Sequence, residues 1–410
     1  VPTDPKELER RAFVALDRLT DGVSGLGLAV SGGGDSVALM QLVSRWPGRS
    51  RHAVSVATVD HGLRAASAGE ACGVARGAAR LGFPHQTIRW DAGDGRGNLM
   101  ARARAARLRL LSDWAGARGL GAVLLGHTRD DVAETLLMRL GRGAGIDGLS
   151  AMTERRASHG VEWLRPLLDV GRQELRDWLR QTDASWIEDP TNEDESFDRA
   201  RIRRVMAEMG LDPAMLALSA ANIAEARAAL NAAMLPLIED AEARLAALVL
   251  NRPRFAAAPA ELRRRLVVAA TRFVTGGDYP PRRSGVDHAL QSLEAGTRVT
   301  LDGVVLDPSG DRLLVHREPA AATRAALDAD RWDNRWKIIG LRKGDRVAAL
   351  GDGVANLDWR TLGTTHLEAQ ALPVVVRDGR IILPLREAGD GLSATPIRDM
   401  LDFRRILLGH

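Results

Sequence analysis

Through the first half of the chain, short apolar runs alternate with longer stretches whose apolar residues recur three and four apart. Leu26–Val30 reads as a buried strand, and after a group of glycines a helix is expected from about Ser36 to Trp46. Ala53–Val59, Gln86–Trp90 and Gly121–Leu125 read as further strands. Between them lie helical patterns over Ala68–Leu81, closed by Gly82, and over Asn98–Arg118. Asp130–Leu140 is the next helix, Trp163–Val170 a fifth strand or edge segment, and Arg172–Gln181 a further helix. Apolar strands alternating with helices predict a doubly wound, mostly parallel α/β sheet covered on both faces. Ligands of such sheets sit beyond the carboxyl ends of the strands, where the winding direction switches. The loops after Val30, Val59 and Leu125 are therefore where chemistry is expected.

The pattern then changes. Trp186–Asp198 is acidic and rich in turn residues. From about Arg201 to Val274, Ala, Leu, Arg and Glu recur at helical spacing until Tyr279-Pro280-Pro281 breaks the run. Ser284–Ala295 reads as one more helix, and Thr297–Val315 as short strands with turns at Asp302-Gly303 and Ser309-Gly310. Glu318–Ala326, rich in Ala and Pro, is expected as a linker. Beyond it, Leu372–Arg377 and Arg380–Pro384 read as strands joined at Asp378-Gly379. With 410 residues, more than one core is expected. The division read here is an α/β domain over 1–205, a mainly helical domain with short strands over 206–320, and a small α+β domain over 321–410.

Composition narrows the chemistry. The one cysteine, Cys72, excludes a disulfide framework, a Cys-rich zinc site and any reaction needing two thiols. No apolar run is long enough to cross a bilayer, and the charged start Val1–Arg11 does not read as a signal peptide. A cytoplasmic protein without membrane contact is the expectation. Net charge is only +4, but the cations are nearly all arginine, with lysine only at Lys6, Lys337 and Lys343. The planar guanidinium grips two oxygens at once and suits phosphates. A base-composition bias accounts for the excess equally well.

The segment Leu26-Gly27-Leu28-Ala29-Val30-Ser31-Gly32-Gly33-Gly34-Asp35-Ser36 carries the most information. Three contiguous glycines let the backbone approach a phosphate, and the helix that follows adds a partial positive charge. Ser31 and Ser36 offer hydroxyls. Asp35 would repel a bare polyphosphate, so it implies Mg²⁺ between the two. No Lys-Ser/Thr pair follows, so this is not the loop of β–γ cleavage, and the contiguous glycines exclude the dinucleotide fingerprint. A plain Gly-rich turn is the bland alternative, but the ordered set of strand, Ser, Gly, Asp, Ser and helix argues against it.

Asp60-His61-Gly62-Leu63-Arg64 follows the second strand. Asp60 could serve only as a cap and His61 only as a surface residue, yet their place beside the phosphate loop favours a nucleotide role. Gly126-His127-Thr128-Arg129-Asp130-Asp131-Val132-Ala133-Glu134-Thr135 follows the fourth strand. His127, Asp131 and Glu134 are spaced to share one helical face. Acids at a helix start complement the macrodipole, which accounts for Asp130 or Asp131 but poorly for Glu134, further in between apolar residues. Two acids facing a pocket suit a substrate ammonium, or Mg²⁺ with ATP, which makes Asp130 a second metal candidate beside Asp35. His127 suits orienting or relaying a proton. Zinc is not expected, since no third imidazole or thiolate is near.

The phosphate loop resembles that of the PP-loop ATP pyrophosphatases, which release pyrophosphate and form adenylates. The chain resembles the tRNA(Ile)-lysidine synthetase family in particular. The resemblance rests on Ser31–Ser36, Asp60–Arg64, Gly97-Asn98-Leu99, Ala103–Arg107, Gly126-His127 with Asp130-Asp131 and Glu134-Thr135, Arg142–Gly145, Gly148-Leu149, Arg165-Pro166-Leu167 and Trp186–Asn192 with Arg199 and Arg203. It covers about the first 205 residues in order; Pro281-Arg282, His316–Glu318 and Trp332–Trp336 resemble the family's next domain, and beyond them the resemblance is faint. Ala200, Val132, Leu108 and Ala144 stand where the family usually has Asn, Gln, Tyr and Ser. The resemblance implies that ATP adenylates the C2 oxygen of the wobble cytidine in tRNA(Ile) with a CAU anticodon, and that the ε-amine of free L-lysine then displaces AMP. It implies roles in lysine or adenylate handling for Arg107, Asp131, Glu134 and Arg199, with His127 beside them and Mg²⁺ as cofactor. It leaves a homodimer open. The later domains would grip tRNA, and Arg263-Arg264-Arg265 and Arg282-Arg283 are candidates that are more often solvated helix faces.

Three rival readings fit less well. A tRNA thiolase usually needs paired cysteines or an iron–sulfur cluster, against a single Cys72. An amide-forming synthetase would leave the tail unexplained. A decayed, non-catalytic RNA-binding protein should have lost Asp35, Ser36 or the acids from Asp130 to Glu134, and all are present.

Overall fold

The structure is a computed structural model that describes residues 4–62, 67–91, 99–150, 152–182, 184–188, 198–277, 279–356, 359–385 and 391–409. The motif stretches Leu63-Arg64, Gly97-Asn98 and Asp189–Asn192 lie outside the described residues. The chain divides into two compact units, Val1–Arg227 and Ala228–His410.

The first unit opens with α1 (Pro5–Leu19), then β1 (Gly25–Ala29), α2 (Gly34–Arg45), β2 (Ala53–Asp60), α3 (Ser67–Arg80), β3 (His85–Arg89) and α4 (Leu99–Ala117). It continues with β4 (Ala122–Leu125), α5 (Arg129–Leu140), the short α6 (Ile146–Leu149), β5 (Arg155–Ser158), β6 (Val161–Leu164), α7 (Arg172–Leu179) and α8 (Asp198–Glu208). The boundary between the units falls within α9 (Pro213–Met234). The six strands form one sheet in the order β3-β2-β1-β4-β6-β5, parallel throughout except for the antiparallel edge strand β5. The chain winds from β1 outward through β2 and β3, then returns across β1 to β4, so the switch point lies between β1 and β4.

Both faces of the sheet are covered, which is why its strands read as unbroken apolar runs. Leu26, Leu28, Val56 and Leu124 join one core with Leu8 and Leu16 of α1, Leu39 and Leu42 of α2, and Leu175 and Trp178 of α7. Ala29, Ala57, Val123 and Leu125 face the other way, onto Leu111 and Trp114 of α4. Gly27 lies on that second face because the indole of Trp114 fills its side-chain space: a Cβ there would stand 2.6 Å from Trp114 Cζ3.

One expectation for this unit needs correcting, and one helix was not read from the sequence. The apolar stretch Trp163–Val170 is not one strand: β6 ends at Leu164, because Pro166 cannot continue a ladder, and β5 pairs antiparallel beside it. The charged start forms α1, with Pro5 at its first turn, an Asp4 cap, and Leu8, Ala12, Leu16 and Leu19 buried. Its exposed face supplied the charge that masked the helix.

In the second unit β7 (Glu242–Arg244), β8 (Ala247–Asn251), β9 (Val299–Leu301), β10 (Val304–Ser309) and β11 (Arg312–Arg317) build an antiparallel sheet ordered β7-β8-β11-β10-β9. The alanine-rich run read as helical thus contains a hairpin, turned at Leu245 and Ala246, both with positive φ. Pairing of β8 with β11 outweighs the local helix preference there. The helices Ala260–Thr275 and Met400–Leu408 cover this sheet, Phe273 meeting Phe403 edge to face. A second core gathers around Trp332, Trp336, Val374 and Val375. Pro319–Thr323, expected as linker, is a short helix with Ala321 and Ala322 buried.

Candidate active site

The phosphate loop leaves β1 and enters α2 beside the switch point. Gly32 has φ +94°, and a Cβ on it would come within 2.4 Å of Ile187 Cδ1. The segment around Ile187 straps this loop: its N–H donates to Gly32 O at 2.9 Å, and Ile187 forms a parallel bridge with Gly33. Trp186 lies over Gly34, its indole Nε1 buried without a hydrogen-bond partner. Ser36 is buried; its hydroxyl donates to Gly33 O at 2.9 Å and accepts from the Ser31 N–H at 3.2 Å. Ser31 Oγ stands 3.3 Å from Ser36 Oγ and is exposed. Gly126 is required at the end of β4, since a Cβ there would stand 2.8 Å from Asp35 O. The first and third loops are thus in backbone contact.

α5 begins behind this contact. Asp131 Oδ2 accepts the Thr128 N–H at 2.9 Å and its hydroxyl at 3.0 Å, so this residue is indeed a helix-capping acid. It also does more, because Oδ1 faces Arg199 Nη1 at 3.0 Å and Arg172 Nη2 at 3.3 Å. One turn on, Glu134 is 1% exposed; Oε1 accepts from Arg203 Nε at 2.6 Å and Arg172 Nη1 at 2.8 Å. Glu134 Oε2 is buried with no hydrogen bond, and Arg199 Nε stands 3.9 Å from it. Asp35 reaches the same cluster through Arg172 Nε at 3.1 Å, and Asp130 accepts the Arg172 backbone N–H at 2.8 Å.

Three carboxylates, Asp35, Asp131 and Glu134, therefore share three guanidiniums, Arg172, Arg199 and Arg203. Burial raises the pKa of Asp35 above the ordinary carboxylate range, and Arg172 only partly offsets it. For Asp131 burial pushes the same way, but Arg172, Arg199 and the Thr128 N–H outweigh it and hold the group ionised. Arg172 is itself buried, yet the surrounding carboxylates raise its pKa and keep it charged.

His127 does not share the helical face expected for it. Thr128 caps α5, so His127 lies in the loop before the helix, and its Nδ1 accepts from Arg165 Nε at 3.2 Å. Burial lowers its pKa to about 4, with Asp131 opposing and Arg165, Arg107 and Arg199 adding to the fall, so the imidazole is neutral near pH 7. Arg107, half-buried on α4, acts electrostatically on both His127 and His61, which places it between the second and third loops. His61 is partly buried, its Nδ1 without a partner, and its ring meets Trp90 edge to face at 5.6 Å. Burial, then Arg107, lowers its pKa. Asp60 accepts the Gly62 N–H at 2.9 Å, which lowers its pKa and closes a turn at the end of β2.

Arg172 was not singled out in the sequence, and Arg203 entered only as a matching position of the family resemblance, with no role given to it. Arg172 carried one signal: a cation at the first residue of a helix opposes the macrodipole and needs another reason to be there. Among the described residues no group of three or more Asp, Glu, His or Cys is arranged to hold a metal. Mg²⁺ demands no such cage, since it keeps waters and takes phosphate oxygens with one or two carboxylates. Asp35 fits that use. Asp130 fits less directly, because one of its oxygens already caps α7.

A glycine loop between strand and helix at the switch point, with an acidic helix start beside it, defines a PP-loop nucleotide site, and the family profile for the PP-loop domain matches residues 7–209. The tRNA(Ile)-lysidine synthase of Ruegeria pomeroyi is 43% identical over 394 residues, 94% of either chain. That of Methylobacterium sp. (strain 4-46) is 41% identical over 332 residues, covering 78% of this chain and 96% of the relative. The chain belongs to the tRNA(Ile)-lysidine synthase family, and is an ATP-binding ligase of tRNA modification. Among solved structures, the U34-tRNA thiolase NcsA from Methanococcus maripaludis with its [4Fe-4S] cluster aligns at TM-score 0.46 and 15% identity, over 54% of this chain and 77% of that chain.

Proposed function

We propose that this enzyme converts the wobble cytidine of tRNA(Ile) with a CAU anticodon to lysidine. The cytidine C2 oxygen attacks the α-phosphorus of ATP and pyrophosphate leaves. The ε-amine of free L-lysine then attacks C2, AMP leaves, and the amine loses its proton. Adenylation turns a poor leaving oxygen into a good one. The glycine loop Gly32–Gly34, with Ser31 and Ser36, cradles the phosphates at the start of α2. Asp60 and His61 border the nucleotide from the second loop. Mg²⁺ held by Asp35, with Asp130 beside it, would neutralise charge on the departing pyrophosphate. Asp131 and Glu134 hold the α-ammonium of lysine, Arg199 faces its carboxylate, and the uncharged ε-amine is left to react. Arg107 and neutral His127 stand on the adenylate side, where His127 can accept a proton.

The observation that carries this reading is Glu134: a carboxylate 1% exposed, one oxygen of which has no hydrogen-bond donor, beside a phosphate loop. Such an oxygen is costly to leave unmatched, and an ammonium group satisfies it. The reading further places the enzyme in the cytoplasm, divides the chain near residues 205 and 320, and assigns tRNA contact to the later regions. The test is transfer of labelled lysine to tRNA(Ile) with a CAU anticodon, given ATP and Mg²⁺, beside a tRNA whose wobble base is uridine. Incorporation into the first alone supports the reaction and its base specificity. Pyrophosphate release without incorporation would keep the ATP site and overturn the lysine assignment.

A further inference from the structure

Arg172 divides its guanidinium among acids that serve different steps. Nε bonds Asp35 of the phosphate loop at 3.1 Å, while Nη1 bonds Glu134 at 2.8 Å and Nη2 bonds Asp131 at 3.3 Å. Its backbone is pinned by Asp130 at 2.8 Å, so only the side chain is free to turn. The guanidinium therefore occupies Asp131 Oδ1 and Glu134 Oε1, leaves Glu134 Oε2 unmatched, and sets a like charge beside any ammonium that arrives at that oxygen. The charges of Asp35, Asp131 and Glu134 are already matched by Arg172, Arg199 and Arg203. A fourth cation enters such a set favourably only if one guanidinium finds another anion. A polyphosphate beside Asp35 is that anion: it is multiply charged and presents paired oxygens that match the guanidinium fork.

We propose that Arg172 is a positioning residue that makes lysine binding conditional on bound ATP, setting its charge against the amine site without nucleotide and turning to the phosphates when ATP arrives. The proposal rests on the reaction assigned above. Arg172 then carries an energetic coupling between two sites, which must be reciprocal: lysine tightens nucleotide binding as much as nucleotide tightens lysine.

Equilibrium dialysis of labelled L-lysine against the full chain, with and without α,β-methylene-ATP and Mg²⁺, reads this coupling directly. The unsubstituted chain should bind lysine at least about fivefold more tightly with the analogue. Arg172→Met removes the competing cation: it should bind lysine without the analogue as well as the parent does with it, and the analogue should change that by less than about twofold. Arg172→Lys keeps the charge but cannot divide it among three acids, and should show an intermediate coupling. Lysine binding indifferent to the analogue in the unsubstituted chain overturns the proposal, and that arm needs no variant to fold. Undiminished coupling in Arg172→Met also overturns it, as does loss of lysine binding by that variant in both conditions, the mark of a merely structural role. If lysine transfer to tRNA persists beside any of these results, the reaction stands and only the role of Arg172 falls. Neither binding nor transfer under any condition overturns both.

Discussion

Glu134→Gln separates the two steps of the proposed reaction. The substitution keeps size and shape in a site that is 1% exposed, so it removes a charge without opening a cavity. Glutamine still offers one carbonyl oxygen to Arg203 and Arg172, which now stand 2.6 and 2.8 Å from Oε1. At Oε2, however, an oxygen with no donor becomes an NH₂ group that can only donate. A hydrogen bond to a charged group contributes about 1.5–3 kcal/mol, against about 0.5–1.5 kcal/mol for a neutral one. An ammonium bound there loses the first and gains nothing. At about 1.4 kcal/mol per decade, that is a rise in lysine KM of roughly 10- to 150-fold. The adenylation step does not involve the amine, so ATP–pyrophosphate exchange on tRNA without lysine should change by no more than about threefold, an effect of under about 0.7 kcal/mol. Glu134→Ala is a harsher variant, because breaking a buried ion pair on one side costs about 3–5 kcal/mol and endangers the fold. The assay is labelled-lysine transfer over a range of lysine concentrations, run beside pyrophosphate exchange and a thermal melt. Equal losses in exchange and transfer, with the fold intact, would refute the assignment of Glu134 to the amine.

Four further outcomes are expected. Asp35→Ala should lower pyrophosphate release by at least about 100-fold, the scale of removing one preorganised electrostatic group, and measured release within a few-fold of the parent would exclude its role. Gly126→Ala should cut ATP turnover, because its Cβ would lie 2.8 Å from Asp35 O; an unchanged ATP KM and kcat would show that the loop tolerates the shift. Gly32→Ala should lower thermal stability by about 1–3 kcal/mol through strain at φ +94° and overlap with Ile187, and unfolding titrations would reveal a neutral effect if the strap simply moves away. His127 has its pKa lowered to about 4 from 6.5, so the unfolded chain binds the proton more readily and stability falls as the pH drops from about 6.5 to 4. Its contribution is therefore intact above about 6.5, and His127→Asn should flatten the stability curve within that window by up to about 1.4 kcal/mol per pH unit, with no flattening if the imidazole is in fact exposed.

What the sequence disclosed and what it withheld follow from the range of the interactions. The doubly wound sheet was legible because strands such as Leu26–Val30 and Gly121–Leu125 are buried on both faces and so apolar throughout. The phosphate loop was legible because strand, glycines and helix lie within a dozen residues. The hairpin at Leu245-Ala246 was not, since β8 is a strand only through its pairing with β11, more than sixty residues on. His127 was misread as part of a helical face because the spacing from His127 to Glu134 is helical while the cap at Thr128 ends the helix short of it. Arg172 shows the limit most clearly. Its partner Asp35 is 137 residues away, and Asp131 and Glu134 are 41 and 38 away, so no local pattern could join them. Its sign was visible all the same: a cation at the first turn of α7 works against the helix dipole, and only three carboxylates supplied from elsewhere offset that cost. A charge placed against its own helix is therefore a sequence-level pointer to acids elsewhere in the fold, and here those acids lie at both the nucleotide and the amine ends of the site.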